Sequence, residues 1–136
     1  MIKVSIFLRS IGIFLAVSLS FTAFGDAVSN PWVDRQYKVS GSWTIEEQGG
    51  SRYLVLADNF KTKRGPDVKV FLAKPKIENI GNRDNLGRDS MLLGVMTRFS
   101  GQQKYLIPED VVLTDFQSVV LYCERYTVVW GGANLR

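Results

Sequence analysis

Beyond its first quarter, this chain alternates apolar and polar residues with the two-residue period of β-strands rather than the longer period of a helix. Tyr37, Val39, Gly41, Trp43 and Ile45 recur at every second position and predict one face of a first long strand. Gln48, Gly49, Gly50 and Ser51 predict a turn, after which residues 52–57 return as a second strand. Asp58-Asn59 and Gly65-Pro66-Asp67 punctuate the chain before a strand over 68–72. Residues 78–90 carry Asn, Gly and charged side chains with no apolar period, which predicts one long surface loop. Strands then follow over 91–97, 104–107, 118–123 and 126–130. The predicted fold is all-β: a single small antiparallel β-sandwich or barrel of about seven to eight strands.

The last two of these strands hold the single cysteine, Cys123. With Glu124-Arg125 as the connecting turn, Cys123 faces Tyr126, Leu121 faces Val128 and Val119 faces Trp130, six apolar or aromatic side chains on one face. Glu-Arg is not a favoured two-residue turn, and a longer loop changes the pairing. The lone thiol is either inert packing or the working atom. Free cysteines pack as small hydrophobes, whereas a reactive thiolate needs a cation, a metal or a helix N-terminus beside it. Arg125 is the one cation near in sequence.

The first 25 residues have a different character. Lys3 and Arg9 precede an apolar run over 11–21, and Thr22-Ala23-Phe24-Gly25 supplies small residues at a cleavage site, with cleavage expected before Asp26 or, as the next choice, after Ala27. This is the pattern of a secretory signal peptide, and the run is shorter than the roughly 20 residues a membrane span needs. The expected organisation is a signal peptide over 1–25, a lead-in over 26–36 and one β domain over 37–136. The product is then exported, periplasmic or extracellular, with no stable membrane anchor after cleavage. Two of the 17 basic residues and none of the 13 acidic ones lie in the signal, so its removal takes the formal charge from +4 to +2. That weakens any nucleic-acid reading. The remaining basic residues are uneven: Lys61, Lys63, Arg64, Lys69, Lys74 and Lys76 lie close together with only Asp67 among them. Such a run suits a solvated sheet edge, or contact with anionic headgroups or polysaccharide.

The chain has no histidine, which removes the usual general base of hydrolases and the commonest transition-metal ligand. There is no CxxCH for covalent haem, so haem or another redox cofactor stays open without support from either signature. Met91 and Met96, five apart, are expected on opposite faces of their strand. Asn82, Asp84 and Asp89 only loosely follow a calcium-loop pattern, since Leu86 stands where a ligand belongs and Arg83 and Arg88 oppose a cation. No metal site is predicted.

Several blocks of sequence, in order, resemble one family. They are Tyr37-Lys-Val-Ser-Gly41, Leu54-Val-Leu-Ala-Asp-Asn-Phe60, and Gly65-Pro66-Asp67 with the strand that follows. Gly101-Gln-Gln-Lys-Tyr105-Leu-Ile-Pro108 comes next, and Ser118-Val-Val-Leu-Tyr-Cys123 with Trp130-Gly-Gly-Ala-Asn-Leu135 closes the series. Together they are similar to the DM-thirteen electron-transfer domain, the module that accompanies DOMON domains in Skeletor-like proteins. Trp130 stands where that pattern usually has phenylalanine. The resemblance implies a β-rich extracytoplasmic domain in which Cys123 is the candidate redox residue. Tyr105, Tyr126 and Trp130 are the candidates to line a cofactor or relay an electron. The chain carries no companion domain, so an electron-transfer role implies a separate redox protein as partner.

Two readings therefore stand. One is an extracytoplasmic redox or electron-transfer module centred on Cys123, not a stand-alone enzyme. The other is a non-catalytic ligand- or protein-binding β module in which Cys123 is buried structure.

Overall fold

The computed structural model describes residues 30–136, with Gly12 alone before them, so the expected signal peptide lies outside the described residues. The alternating pattern becomes ten short strands: β1 (Val33–Asp34), β2 (Val39–Ser40), β3 (Trp43–Gln48), β4 (Ser51–Leu56), β5 (Lys61–Thr62), β6 (Val68–Ala73), β7 (Met91–Val95), β8 (Gln103–Ile107), β9 (Ser118–Cys123) and β10 (Val128–Asn134). They form three antiparallel sheets in the orders β1-β10-β9-β6-β7, β3-β4-β8 and β2-β5, an all-β, sandwich-like arrangement without a closed barrel. β1 lies within the stretch read from sequence as a lead-in and pairs with β10.

The first long strand is in fact two. Gly41 has φ +95°, and a Cβ there would stand 2.5 Å from the carbonyl oxygen of Asn59. The chain breaks at this close approach, so β2 leaves to pair with β5 while β3 pairs with β4. The alternation still reports burial correctly. Val39 and Trp43 are buried in the main core, and Tyr37 and Ile45 pack against it from its rim.

That core lies between the five-stranded and three-stranded sheets. Val68, Val70, Leu72, Val119, Leu121, Cys123 and Trp130 meet Trp43, Leu54, Leu56, Tyr105 and Ile107 across it. A second cluster covers the opposite face of the five-stranded sheet, where Phe71, Ala73, Val120, Tyr122 and Val129 pack with Ile77, Ile80 and Leu86. The stretch 78–90, expected as a bare loop, therefore supplies a lid. A 3-10 turn (Ile77–Asn79) and a short helix, α1 (Arg83–Leu86), turn three apolar side chains inward. With both faces covered, every residue of β9 is buried.

Two irregularities change which face a residue occupies. Between β6 and β7 the register skips Leu93, and Met91 and Met96, expected on opposite faces, both meet the same core. Between β9 and β10 it skips Trp130, so Trp130 and Gly131 lie on one side in succession.

Candidate functional site

Cys123 ends β9 with Val68 of β6 opposite it on one side and Val128 of β10 on the other. The connection to β10 is four residues long, Glu124 to Thr127, not the two expected, and Cys123 is not opposite Tyr126. The register has moved by two at Cys123 and by three beyond the Trp130 bulge, so Leu121 lies opposite Gly131 and Val119 opposite Ala133, not opposite Val128 and Trp130 as expected. Cys123 still points into the main core with Leu121 and Val119, whereas Tyr126 sits in the loop and is 57% exposed.

The thiol has no accessible surface and donates a hydrogen bond to the carbonyl oxygen of Pro66, 3.0 Å away. Pro66 is the centre of the Gly65-Pro66-Asp67 turn that launches β6. Asp67 takes a positive φ of 55°, and its carbonyl accepts from the Glu124 amide at 3.1 Å. The turn is thus tied to two successive residues, Cys123 and Glu124, at the end of β9 and lies over the sulfur. Arg125, the cation nearest in sequence, is exposed, and Glu124 pairs instead with Arg83 at 3.4 Å. The one polar contact of Sγ is this neutral carbonyl, not a cation.

Trp130 stands on the same core face, two residues beyond the partner of Cys123. Its indole N–H donates to the carbonyl of Lys63 at 3.1 Å, and a Cβ on Gly65 would lie 2.6 Å from its ring, so only glycine lets the turn pass. On its outer side the Trp130 ring meets Tyr37, with centroids 4.2 Å apart at 50°. The Tyr37 amide also donates to the Trp130 carbonyl at 3.2 Å. The ammonium of Lys63 lies 4.6 Å above the Tyr37 ring, a cation–π contact at the surface. Tyr37 and Trp130 thus form an aromatic pair that links the rim of the core to the cluster holding the thiol.

Tyr105 enters the core from the facing sheet, on β8. Its hydroxyl donates to Gln103 Oε1 at 2.7 Å, and burial pushes its pKa up to about 12. Of the residues proposed from sequence, the structure joins Cys123 and Trp130 on one face, sets Tyr105 across the core from them, and leaves Tyr126 in solvent. Tyr37, Lys63 and the Pro66 carbonyl also belong to this site; the sequence marked them only as parts of the alternating pattern, the basic run and the family-like blocks, and nothing in it joined them to Cys123.

The acidic and amide groups of the calcium-like stretch are otherwise engaged. Asn82 caps α1 by accepting from the Asn85 amide at 3.0 Å, and Asp89 pairs with Lys74 at 2.9 Å. Among the described residues no group of three acidic or cysteine side chains is placed to hold a metal, and no helix is long and apolar enough to cross a membrane. Haem does not fit beside Cys123 in this arrangement, since no space of even water size touches the residue.

A family model described as electron transfer DM13 matches residues 32–135, nearly all of the described chain. The chain belongs to the DM13 electron-transfer family. The match starts just before β1 and ends just after β10, so it takes in the Cys123 strand, the turn over it and the Trp130 strand together. No curated protein and no solved structure gives a significant match.

Proposed function

We propose that this DM13 domain is an extracytoplasmic electron-transfer module with Cys123 as its redox centre, working with a separate redox protein. Membership of the family supports the electron-transfer part of this reading. The apolar N-terminal run behind Lys3 and Arg9 supports export. The observation that carries the choice of residue is the aromatic pair. Trp130 shares the core cluster of the thiol and touches Tyr37, which lines the surface groove, and this supports an outward route for an electron from a sulfur sealed from solvent.

Burial decides the kind of chemistry. Thiol–disulfide exchange requires direct attack at sulfur, which the Gly65-Pro66-Asp67 turn blocks. Outer-sphere transfer does not. In that step the thiol loses one electron to a one-electron-accepting redox protein. Its S–H bond breaks, leaving a sulfur-centred radical on Cys123, and the proton passes to a single water molecule that reaches the sulfur by local fluctuation, an opening too small to admit a disulfide for in-line attack. Reduction returns one electron and one proton.

Protein-film voltammetry tests the reading. A one-electron wave in the wild type that vanishes in Cys123→Ser and persists in Tyr126→Phe is the expected result. A specific observation favours the second reading, a binding module with a structural thiol: Cys123 is wholly buried and its one polar partner is a carbonyl. The same experiment decides, because a wild type with no wave, or a wave unchanged in Cys123→Ser, removes the cysteine from the mechanism.

A further inference from the structure

Just outside Tyr37 the surface is concave. A groove of about 440 Å³ is lined by Tyr37, Lys38, Ser40, Lys61, Thr62 and Lys63, with three cations, two aliphatic hydroxyls, one phenol and no acid. The three lysines come from two separate segments that the β2–β5 pair brings together. None of them enters an ion pair among the described residues, whereas Lys69, Lys74 and Arg83 each do. Lysines that merely protect a sheet edge need only point outward and apart. These instead surround one depression, with Lys63 held over the ring that backs onto Trp130.

We infer that this groove is the docking site for a carboxylate-bearing face of the redox partner, and that Tyr37 is the point at which the electron crosses. The inference rests on the electron-transfer reading above and adds to it the partner's chemistry and its place of contact. Three uncompensated positive charges favour an acidic surface and speed its encounter. The Tyr37 ring at the bottom of that contact then meets the partner on one side and Trp130 on the other. Recognition and the outlet of the aromatic pair thus coincide.

Two trianions of matching charge and shape separate docking from electron transfer. Hexacyanocobaltate(III) is redox-inert and its binding is read by calorimetry; hexacyanoferrate(III) accepts one electron and its reduction is followed by stopped flow. Hexacyanocobaltate is expected to bind the wild type and to bind the combined Lys38→Gln, Lys61→Gln, Lys63→Gln variant at least about tenfold more weakly, while Lys76→Gln changes affinity less than about twofold. Hexacyanoferrate reduction is expected to slow by a similar factor in the triple variant and to weaken with added salt. Tyr37→Leu is expected to slow reduction by a clearly larger factor than it weakens hexacyanocobaltate binding, and equal factors overturn Tyr37 as the crossing point. Absence of hexacyanocobaltate binding, or equal loss in Lys76→Gln, overturns the docking site. Binding with no electron uptake leaves the anion site standing and removes the redox reading. Alginate binding lost in the triple variant, with hexacyanoferrate reduction unchanged by the same substitutions, overturns partner docking in favour of a glycan site.

Discussion

The thiol of Cys123 donates to the main-chain carbonyl of Pro66 at 3.0 Å, across 57 positions of sequence. A thiol is a weak donor, so the bond itself adds little stability. Its consequence is positional. The Gly65-Pro66-Asp67 turn is held at one point by sulfur and at another by the Glu124 amide. A change in the sulfur is therefore felt at the turn, and opening the turn exposes the sulfur.

The folded protein is accordingly expected to protect its thiol. An aromatic disulfide reagent should label Cys123 at least about a hundredfold more slowly in buffer than in denaturant, with labelling limited by local opening. Rapid labelling of the native protein contradicts the sealed geometry. Cys123→Ala leaves the Pro66 carbonyl without its donor and a small void beside it, and is expected to cost about 1–3 kcal/mol by denaturant midpoint.

Gly65 and Trp130 are predicted to be energetically coupled. A methyl at Gly65 would lie 2.6 Å from Cη2 and 2.8 Å from Cζ2 of Trp130, so the indole must turn and its bond to the Lys63 carbonyl weakens. Gly65→Ala is expected to cost about 1–3 kcal/mol. In a Trp130→Phe background the smaller ring frees that space, and the same substitution is expected to cost less. A double-mutant cycle from urea unfolding reads the difference, and strict additivity of the two changes refutes the contact.

The sequence revealed strand content and inward-facing positions better than it revealed face and register around the site. Tyr37, Val39, Trp43 and Ile45 announced one buried face because burial imposes a two-residue period whether or not the backbone hydrogen bonds are continuous. The break at Gly41 was hidden, since it arises from the approach of Asn59, a tertiary event. Met91 and Met96 were misplaced for the same kind of reason: one skipped residue inverts every later assignment along a strand. Residues 78–90 looked like loop because Ile80 and Leu86 are too few to make a period, yet both are fully buried over Tyr122 and its neighbours. Cys123 kept its predicted face because it alternates in step with Leu121 and Val119 along β9, whereas Tyr126 lost its predicted place because the loop after Cys123 is longer by two.

Tyr122 is fully buried on the outer face of the five-stranded sheet, and its hydroxyl has no hydrogen-bond partner among the described residues. Its burial, with Glu124 nearby, raises the phenol pKa. An unpartnered hydroxyl forfeits its hydration on folding and regains nothing. Tyr122→Phe keeps the ring and removes the cost, so it is expected to be neutral or to stabilise by up to about 1 kcal/mol. A loss of more than about 1 kcal/mol in thermal or urea unfolding means that the hydroxyl has a partner after all.

Tyr105 sets a base limit on stability. Its phenol ionises near pH 10 in an unfolded chain, but burial in the core pushes the folded value up to about 12. Below pH 10 both states hold the proton and the residue adds no pH dependence. Between about pH 10 and 12 the unfolded chain releases the proton while the folded one retains it, so unfolding is favoured as pH rises. The loss is at most about 2–3 kcal/mol, complete once the folded phenol also ionises. Tyr122 acts in the same direction. Urea midpoints measured from pH 9 to 11.5 should fall along that range, and Tyr105→Phe should flatten the fall although it gives up the hydrogen bond to Gln103 at neutral pH. A slope identical in wild type and variant shows that the phenol reaches solvent before the protein unfolds.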